Sequence, residues 1–167
     1  MEEWFEIVDA QDRVIGRARR ADCHGNPALV HRTAQVVVVS RDGRLLLQKR
    51  SAHKDIQPGK WDTAVGGHLA PGETYGQGAR RELAEELGLS PDSPIEWLFR
   101  SEIRNAIESE NVGTFRLVHD GPFQPQEEEI DELRFWTLAE LQQALGTGVF
   151  TTNLEYQIGR LLAEGLL

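Results

Sequence analysis

Hydrophobic and polar residues alternate along several short stretches of this 167-residue chain, and each such stretch predicts a β-strand. Two of them, at 4–9 and 13–18, are separated by three turn-forming residues and predict a hairpin. Residues 34–40 form a β-branched run that is apolar on both faces, which is typical of a buried central strand. The stretch at 44–50 follows a turn at 41–43 and is expected to pair back onto that strand.

The rest of the chain continues this alternation and ends in two helical patterns. Segments rich in turn-forming residues predict a short helix and loop at 20–32 and a loop at 51–60. Strands with a few helices between and after them indicate helices packed on a mixed sheet. We predict strands at 61–67, 95–104, 113–120 and 132–137, a loop at 107–111, a solvated acidic segment at 124–132, and helices at 138–145 and 152–165.

A further helix is predicted after the Pro-Gly pair at 71–72. Glu73 and Thr74 are candidate capping residues at its start, and Gly88 is a candidate C-terminal stop. Its buried stripe recurs every four residues and consists of Ala79, Leu83 and Leu87.

Composition bounds the class of protein. The length predicts one domain over 1–167, and 40% hydrophobic with 27% charged residues is ordinary for a soluble globular protein. A net charge of −9 argues against a partner such as a nucleic acid duplex, and an anionic ligand would need local cations or a metal. No apolar run approaches the roughly 18 residues of a membrane span. One cysteine, Cys23, excludes an internal disulfide and predicts a cytoplasmic location.

Three carboxylates crowd the helix that follows the Pro-Gly pair. Glu82, Glu85 and Glu86 occupy positions i, i+3 and i+4, so their side chains leave the helix on one side, next to the apolar stripe. Arg81 can pair with Glu85, but no basic residue of the helix is spaced to offset the repulsion between Glu82 and Glu86. A solvated Glu-rich face is the alternative reading. A divalent cation would offset the repulsion, and oxygen ligands suit Mg²⁺ or Mn²⁺.

The segment at 67–89 resembles the Nudix box, G-x5-E-x7-R-E-U-x-E-E-x-G-U with U apolar, and matches it at all nine constrained positions. The resemblance implies an α/β fold, the Nudix α/β/α sandwich with a mixed β-sheet, and hydrolysis of a diphosphate linkage with Mg²⁺ (or Mn²⁺). By position it implies pairing of Arg81 with Glu73 to brace the loop. It makes Glu85, Glu86 and Arg81 the catalytic residues. The implied metal ligands are Gly67, through its carbonyl, with Glu82, Glu85 and Glu86.

The chemistry that follows is attack of an activated water on one phosphorus, with departure of the other phosphate. A carboxylate must take the proton of that water. Glu85 is one candidate for this base. A glutamate of the acidic loop, Glu127, Glu128 or Glu129, is the other, and the alternative for that loop is simple solvation.

The N-terminal half resembles a narrower group, the isopentenyl-diphosphate isomerases and related hydrolases, in segments such as HGNPALVHR (24–32), LLLQKRS (45–51) and GGH (66–68). Those isomerases hold a metal with three histidines and two glutamates. They also need a catalytic cysteine two residues before the third histidine, where this chain has Gly66. We therefore expect a hydrolase, with the isomerase as the alternative. Two alternatives stay open for the corresponding residues, a second metal site or plain polar packing. These residues are His24, His31, His68, Glu108 and Glu110.

The substrate is less constrained than the reaction. Arg50 and Lys54 flank the predicted site and can bind phosphate, although ordinary surface cations are an equal alternative. The expected substrate is a small-molecule nucleotide, a nucleoside di- or triphosphate or a related derivative. A module that binds nucleotides without cleaving them is a third possibility, which the intact set of carboxylates disfavours. The protein is expected to act as a monomer or homodimer.

Overall fold

The computed structural model describes residues 2–54, 57–126 and 128–167. The chain begins with the predicted hairpin, which forms a two-stranded sheet of its own. Asp12, at the hairpin turn with φ of 62°, ties this sheet to the rest of the protein. Its carboxylate accepts hydrogen bonds from Tyr75 Oη at 2.9 Å and Asn111 Nδ2 at 2.7 Å. The elements are β1 (Trp4–Val8), β2 (Val14–Arg19) and a short helix, α1 (Arg20–Cys23).

A seven-stranded mixed sheet follows, and its centre is the predicted buried strand. The strands are β3 (Val30–Val39), β4 (Leu45–Arg50), β5 (Trp61–Thr63), β6 (Val65–His68), β7 (Glu96–Arg104), β8 (Ser109–Val118) and β9 (Ile130–Trp136). The central strand, β3, pairs in parallel with β8 over its whole length and in antiparallel with β6. The principal strand order is β5-β4-β3-β8-β7, with β6 on β3 and β9 on β4.

Helices cover both faces of this sheet, so the predicted three-layer α/β/α arrangement is confirmed. The predicted stripe of the carboxylate helix, Ala79, Leu83 and Leu87, is fully buried against one face of the sheet. It packs next to Ala34, Val36 and Val38. The opposite face packs Val37 and its neighbours against the two C-terminal helices. None of the helices in the described ranges has the length and apolarity that crossing a membrane requires. The helices are α2 (Tyr75–Leu87), α3 (Leu138–Ala144) and α4 (Thr152–Ala163).

Both ends of α2 match the local sequence signals. Thr74 is the N-cap and forms a capping box with Gln77, while Gly88 ends the helix in the left-handed region at φ of 67°. Glu73 does not cap the helix through the first-turn amides; its carboxylate instead accepts the amide N–H of Ala70 at 2.6 Å. The carboxylate helix therefore starts and stops where the sequence predicts.

Three predictions need correction: the loop at 107–111, the strand at 61–67 and the pairing of the strand at 44–50. The segment 107–111 is not all loop, because Ser109, Glu110 and Asn111 belong to β8 and pair with both β3 and β7. The predicted strand at 61–67 is two strands, β5 and β6, which pair with different partners. β4 pairs with β3 at only one residue pair, Val39 and Leu45, and forms most of its ladder with β9.

Candidate functional site

Two carboxylates of α2 contact the β6 strand. The Gly66 amide donates to Glu86 Oε2 at 2.9 Å. At the next residue, Gly67, a Cβ would overlap the carboxyl group of Glu82, so only glycine leaves room for that side chain. The structure thus brings together three residues of the predicted metal set, Gly67, Glu82 and Glu86.

Arg81 holds this arrangement through five side-chain hydrogen bonds. Its guanidinium forms a bidentate pair with Glu73 at 2.8 and 2.9 Å and also donates to the His68 carbonyl at 3.1 Å. It further donates to Glu82 at 2.8 Å and Glu85 at 3.3 Å. The hydrogen bond from Arg81 lowers the pKa of Glu73. The predicted Arg81–Glu73 pair is therefore present, whereas the expectation that nothing in the helix offsets Glu82 is wrong.

The electrostatics of the pair favour a cation. Burial, and then the charge of Glu82, raises the pKa of Glu86 to about 8. Burial also raises the pKa of Glu82. The charges of Glu129 and Asp62 add to the unfavourable potential at Glu86. Several carboxylates thus face one place, and such a set of oxygen donors fits Mg²⁺ or Mn²⁺.

Glu85 occupies a different position from its two neighbours. Its side chain is 56% exposed, and its carboxylate contacts Arg81 rather than β6. The three glutamates of the acidic loop also differ in position. Glu129 lies close enough to Glu86 to raise the pKa of Glu86, Glu128 is exposed, and Glu127 lies outside the described residues.

The two predicted phosphate-binding cations lie at the rim of the carboxylate site. Lys54 Nζ is 3.6 Å from Glu129 Oε1, and Arg50 Nη1 is 3.5 Å from Asp62 Oδ2. Both acidic partners act on the pKa of Glu86. Sequence reasoning missed Asp62, although it directly follows Trp61 at the start of a strand, because nothing local shows that β5 brings it toward α2.

A second group of potential ligands lies at the carboxyl-terminal end of β6 and the N-terminal ends of β3 and β8. One ligand atom from each of four side chains lies within 4.8 Å of every other, and the set is His31, His68, Glu108 and Glu110. We call this set the His–Glu cluster. Glu110 Oε1 is 3.4 Å from Nε2 of both histidines, and its Oε2 accepts the Thr33 hydroxyl at 2.6 Å. Phe5 of the hairpin stacks on both imidazole rings, at 4.9 and 4.6 Å.

The His–Glu cluster has unmet bonding capacity. In the described ranges, no hydrogen-bond partner reaches either ring nitrogen of His31 or Nε2 of His68. Burial alone would raise the pKa of Glu110, but the two imidazoles hold it well below its usual range. Buried imidazole nitrogens that lack a hydrogen bond and lie beside an ionised carboxylate fit a metal that accepts nitrogen and oxygen ligands. His24, predicted with this set, is exposed, and its ring centre lies 6.4 Å from that of His68.

The position that decides between the two resemblances carries no acid or base. Gly66 has only backbone to offer, and a Cβ there would be 3.4 Å from Gln35 Cγ. Cys23 is fully buried in a small cluster with Phe5 and Ile7, and burial raises the pKa of its thiol. A thiol in that environment is inert.

Comparison with known proteins agrees with this geometry. The family model described as NUDIX domain matches residues 29–153. An uncharacterized Nudix hydrolase of Yersinia pestis is 38% identical over 141 residues, which cover 83% of this chain and 74% of the relative. An isopentenyl-diphosphate Delta-isomerase of Streptomyces avermitilis is 34% identical over 144 residues, which cover 83% and 73%.

Two solved structures extend the comparison. The crystal structure of DR0079 from Deinococcus radiodurans has a TM-score of 0.79 at 25% identity, covering 95% of this chain and 98% of the other. The NUDIX domain of Shewanella oneidensis NrtR, solved with ADP ribose, has a TM-score of 0.61 at 23% identity, covering 81% and 88%. The second likeness concerns the fold alone.

Proposed function

Since the chain belongs to the NUDIX family and is a Nudix pyrophosphohydrolase, we propose that it hydrolyses the diphosphate linkage of a nucleoside di- or triphosphate or a related nucleoside diphosphate derivative, with Mg²⁺ or Mn²⁺. The observation that carries the proposal is the convergence of Glu82 and Glu86 on β6, with raised pKa values and with Gly67 shaped to admit a carboxylate. We place the activity in the cytoplasm, where the Cys23 thiol stays reduced.

The residues that would hold the cation are Glu82 and Glu86, with the Gly67 carbonyl and Glu85 as further oxygen donors. A divalent cation there supplies the positive charge that phosphate oxygens need and that a chain of net charge −9 lacks. Arg81 positions the set, because its bonds to Glu73 and the His68 carbonyl fix the loop against the helix.

Glu129 is the general base that this geometry favours over Glu85. The charge of Glu129 acts on Glu86, and its contact with Lys54 is 3.6 Å long, whereas the Glu85 carboxylate accepts a hydrogen bond from Arg81 at 3.3 Å. Water attacks one phosphorus, Glu129 takes its proton, and the phosphoanhydride P–O bond breaks to release the second phosphate. Lys54 and Arg50 lie beside this place and can exchange their carboxylate partners for phosphate oxygens.

The His–Glu cluster is a candidate for a second metal, of the kind that accepts nitrogen, such as Mn²⁺ or Zn²⁺. Its donors are the His31 and His68 ring nitrogens that form no hydrogen bond, together with Glu108 and Glu110. Isomerisation is disfavoured even if this site is filled, because an allylic proton shift needs an acid and a base on opposite sides of the substrate and Gly66 is neither.

The test is cleavage of a panel of nucleotides, nucleotide sugars and isopentenyl diphosphate, with the products identified by chromatography or phosphorus NMR, in the presence of Mg²⁺, Mn²⁺ or EDTA. We expect nucleotide turnover that ceases in EDTA and falls about 100-fold in Glu82→Gln and Glu86→Gln, equivalent to about 3 kcal/mol. Glu96→Gln is the matched control, because Glu96 is 63% exposed at the start of β7 and pairs with Arg116. Full turnover in EDTA, or normal rates in both variants, would contradict the proposal.

A further inference from the structure

A pocket lies between β7–β8 and α4, on the sheet face opposite the carboxylate helix. Its volume is about 230 Å³, less than the roughly 300 Å³ at which pockets for drug-sized ligands begin, so it suits one ring system rather than a whole nucleotide. Phe99, Val112 and Ile103 provide apolar lining, and Gln35, Thr114 and Gln157 provide polar lining. We call this the β8–α4 pocket.

The floor of the β8–α4 pocket carries a pair of amides. Gln157 is only 4% exposed, and its Nε2 donates to Gln35 Oε1 at 2.6 Å. Its Oε1 is buried and meets no hydrogen-bond donor anywhere in the described ranges. A buried carbonyl without a donor destabilises the fold, so a ligand that brings an N–H or O–H group relieves that cost on binding.

The charges around the pocket exclude an anionic ligand. Its two charged lining residues, Glu102 and Arg104, are exposed at the rim and lie 3.6 Å apart as an ion pair. Arg104 also donates to Asn111 Oδ1 and to the Glu110 carbonyl, at 2.8 Å each. Phosphate would find no unengaged cation in this lining. A flat, neutral heterocycle with a hydrogen-bond donor matches the buried amide oxygen of Gln157 and the absence of an unengaged cation in this lining.

The pocket floor adjoins the candidate reaction site. Gln35 lies directly opposite Gly66 in the β3–β6 ladder, and the Gly66 amide is the group that binds Glu86. Because Gly66 has no side chain, space remains beside Gln35 at this point. Thr33, two residues away on the same face of β3 and about 7 Å along the strand, bonds Glu110 of the His–Glu cluster.

We propose that the β8–α4 pocket binds the nucleobase of the substrate, and that Gln157, held by Gln35, selects bases with an N–H donor on the edge that faces it. This inference rests on the proposed function, since it assigns a place to the base of a nucleotide whose diphosphate lies at the carboxylate site. Gln157 then acts as a specificity determinant that takes no part in the chemistry.

The test measures binding of nucleosides without phosphate to metal-free protein in EDTA, by equilibrium dialysis or ligand-observed NMR. Two matched pairs separate hydrogen bonding from shape: adenosine against purine riboside, and cytidine against pyrimidin-2-one riboside, the second of each pair lacking only the amino group. We expect the amino-bearing member of at least one pair to bind about tenfold more tightly, as one net hydrogen bond allows. Equal binding in both pairs, or no binding of any nucleoside at millimolar concentration, would overturn the proposal.

Variants locate the effect. Gln157→Leu should remove the preference by weakening the amino-bearing nucleoside about tenfold while leaving its partner unchanged. The double variant Gln35→Leu/Gln157→Leu removes both amides together and so leaves neither unpaired, which preserves the fold. Gln142→Leu, an exposed glutamine on α3, is the control and should behave as wild type. An unchanged preference in Gln157→Leu would place the base elsewhere.

The two proposals fail separately. Loss of nucleoside discrimination with metal-dependent hydrolysis intact would overturn only the base pocket. Discriminating nucleoside binding without hydrolysis of any nucleotide in the panel would overturn only the hydrolase proposal.

Discussion

Neutralising Glu86 should stabilise the metal-free protein while it destroys activity. The pKa of Glu86 rises from an ordinary 4.5 to about 8 because the group is 8% exposed and lies near Glu82. The folded state therefore keeps a proton that the unfolded state releases between these two values. It follows that stability from this group is full below about pH 4.5 and is lost as the pH rises through 8.

The magnitude follows from the same interval. At about 1.4 kcal/mol for each pH unit, ionising Glu86 costs the folded state up to about 5 kcal/mol above pH 8. This is comparable with the 5–15 kcal/mol that stabilises a typical domain. Glu86→Gln removes the charge, and the new side-chain oxygen can still accept the Gly66 amide. We expect the variant to gain at least about 2 kcal/mol over wild type near pH 9 in EDTA, and to differ by less than about 1 kcal/mol near pH 5.

The assay is urea unfolding of wild type and variants at the two pH values. Glu85→Gln is the matched control: it removes the same charge from the same helix at a 56% exposed position, so a change within about 0.5 kcal/mol is expected. Adding Mg²⁺ or Mn²⁺ should reverse the order, since a cation that binds only the folded site stabilises wild type more. Equal unfolding free energies of wild type and Glu86→Gln at high pH would refute this account of the site.

Three further outcomes are expected. Gly67→Ala should keep the fold but lower metal affinity and turnover at least tenfold, because a Cβ there displaces the Glu82 carboxylate that α2 places on β6. Gly16→Ala, with nothing within 4 Å of its Cβ, is the control, and equal turnover of the two variants would contradict the packing argument. Isopentenyl diphosphate with enzyme and Mg²⁺ should yield no dimethylallyl diphosphate by NMR, and measurable conversion would reverse the choice between the two reactions. Bound metal measured by atomic absorption at pH 8 should fall in His31→Ala/His68→Ala while the carboxylate site stays filled; unchanged stoichiometry would show that the His–Glu cluster is only packing.

The features of the candidate site that depend on neighbouring residues could be predicted from the sequence, whereas those that depend on pairing between distant strands could not. The helix boundaries at Thr74 and Gly88 depend on nearest neighbours, and so does the stripe that buries α2. The glutamates of 107–111 were predicted in a loop because they are polar. In the fold, β8 carries Glu110 beside His31 of β3, a residue distant in sequence, and that parallel pairing leaves no local pattern. Glu129 and Asp62 acquire their importance in the same way, from elements that meet only in the folded chain.

The N-terminal hairpin and all of α4 but its first two residues lie outside the stretch that matches the family model, 29–153. The hairpin nevertheless supplies Phe5, which stacks on two cluster histidines, and Asp12, which binds the first residue of α2. The part of α4 beyond residue 153 supplies three fully buried core residues, Leu154, Ile158 and Leu161. A fragment cut at the boundaries of the family match would therefore lose the aromatic cover of one ligand group and half of a helical layer. Transferring this central stretch into a relative would carry over the carboxylates but not Phe5, Asp12 or the buried residues of α4. The segments that flank the match must therefore be transferred as well.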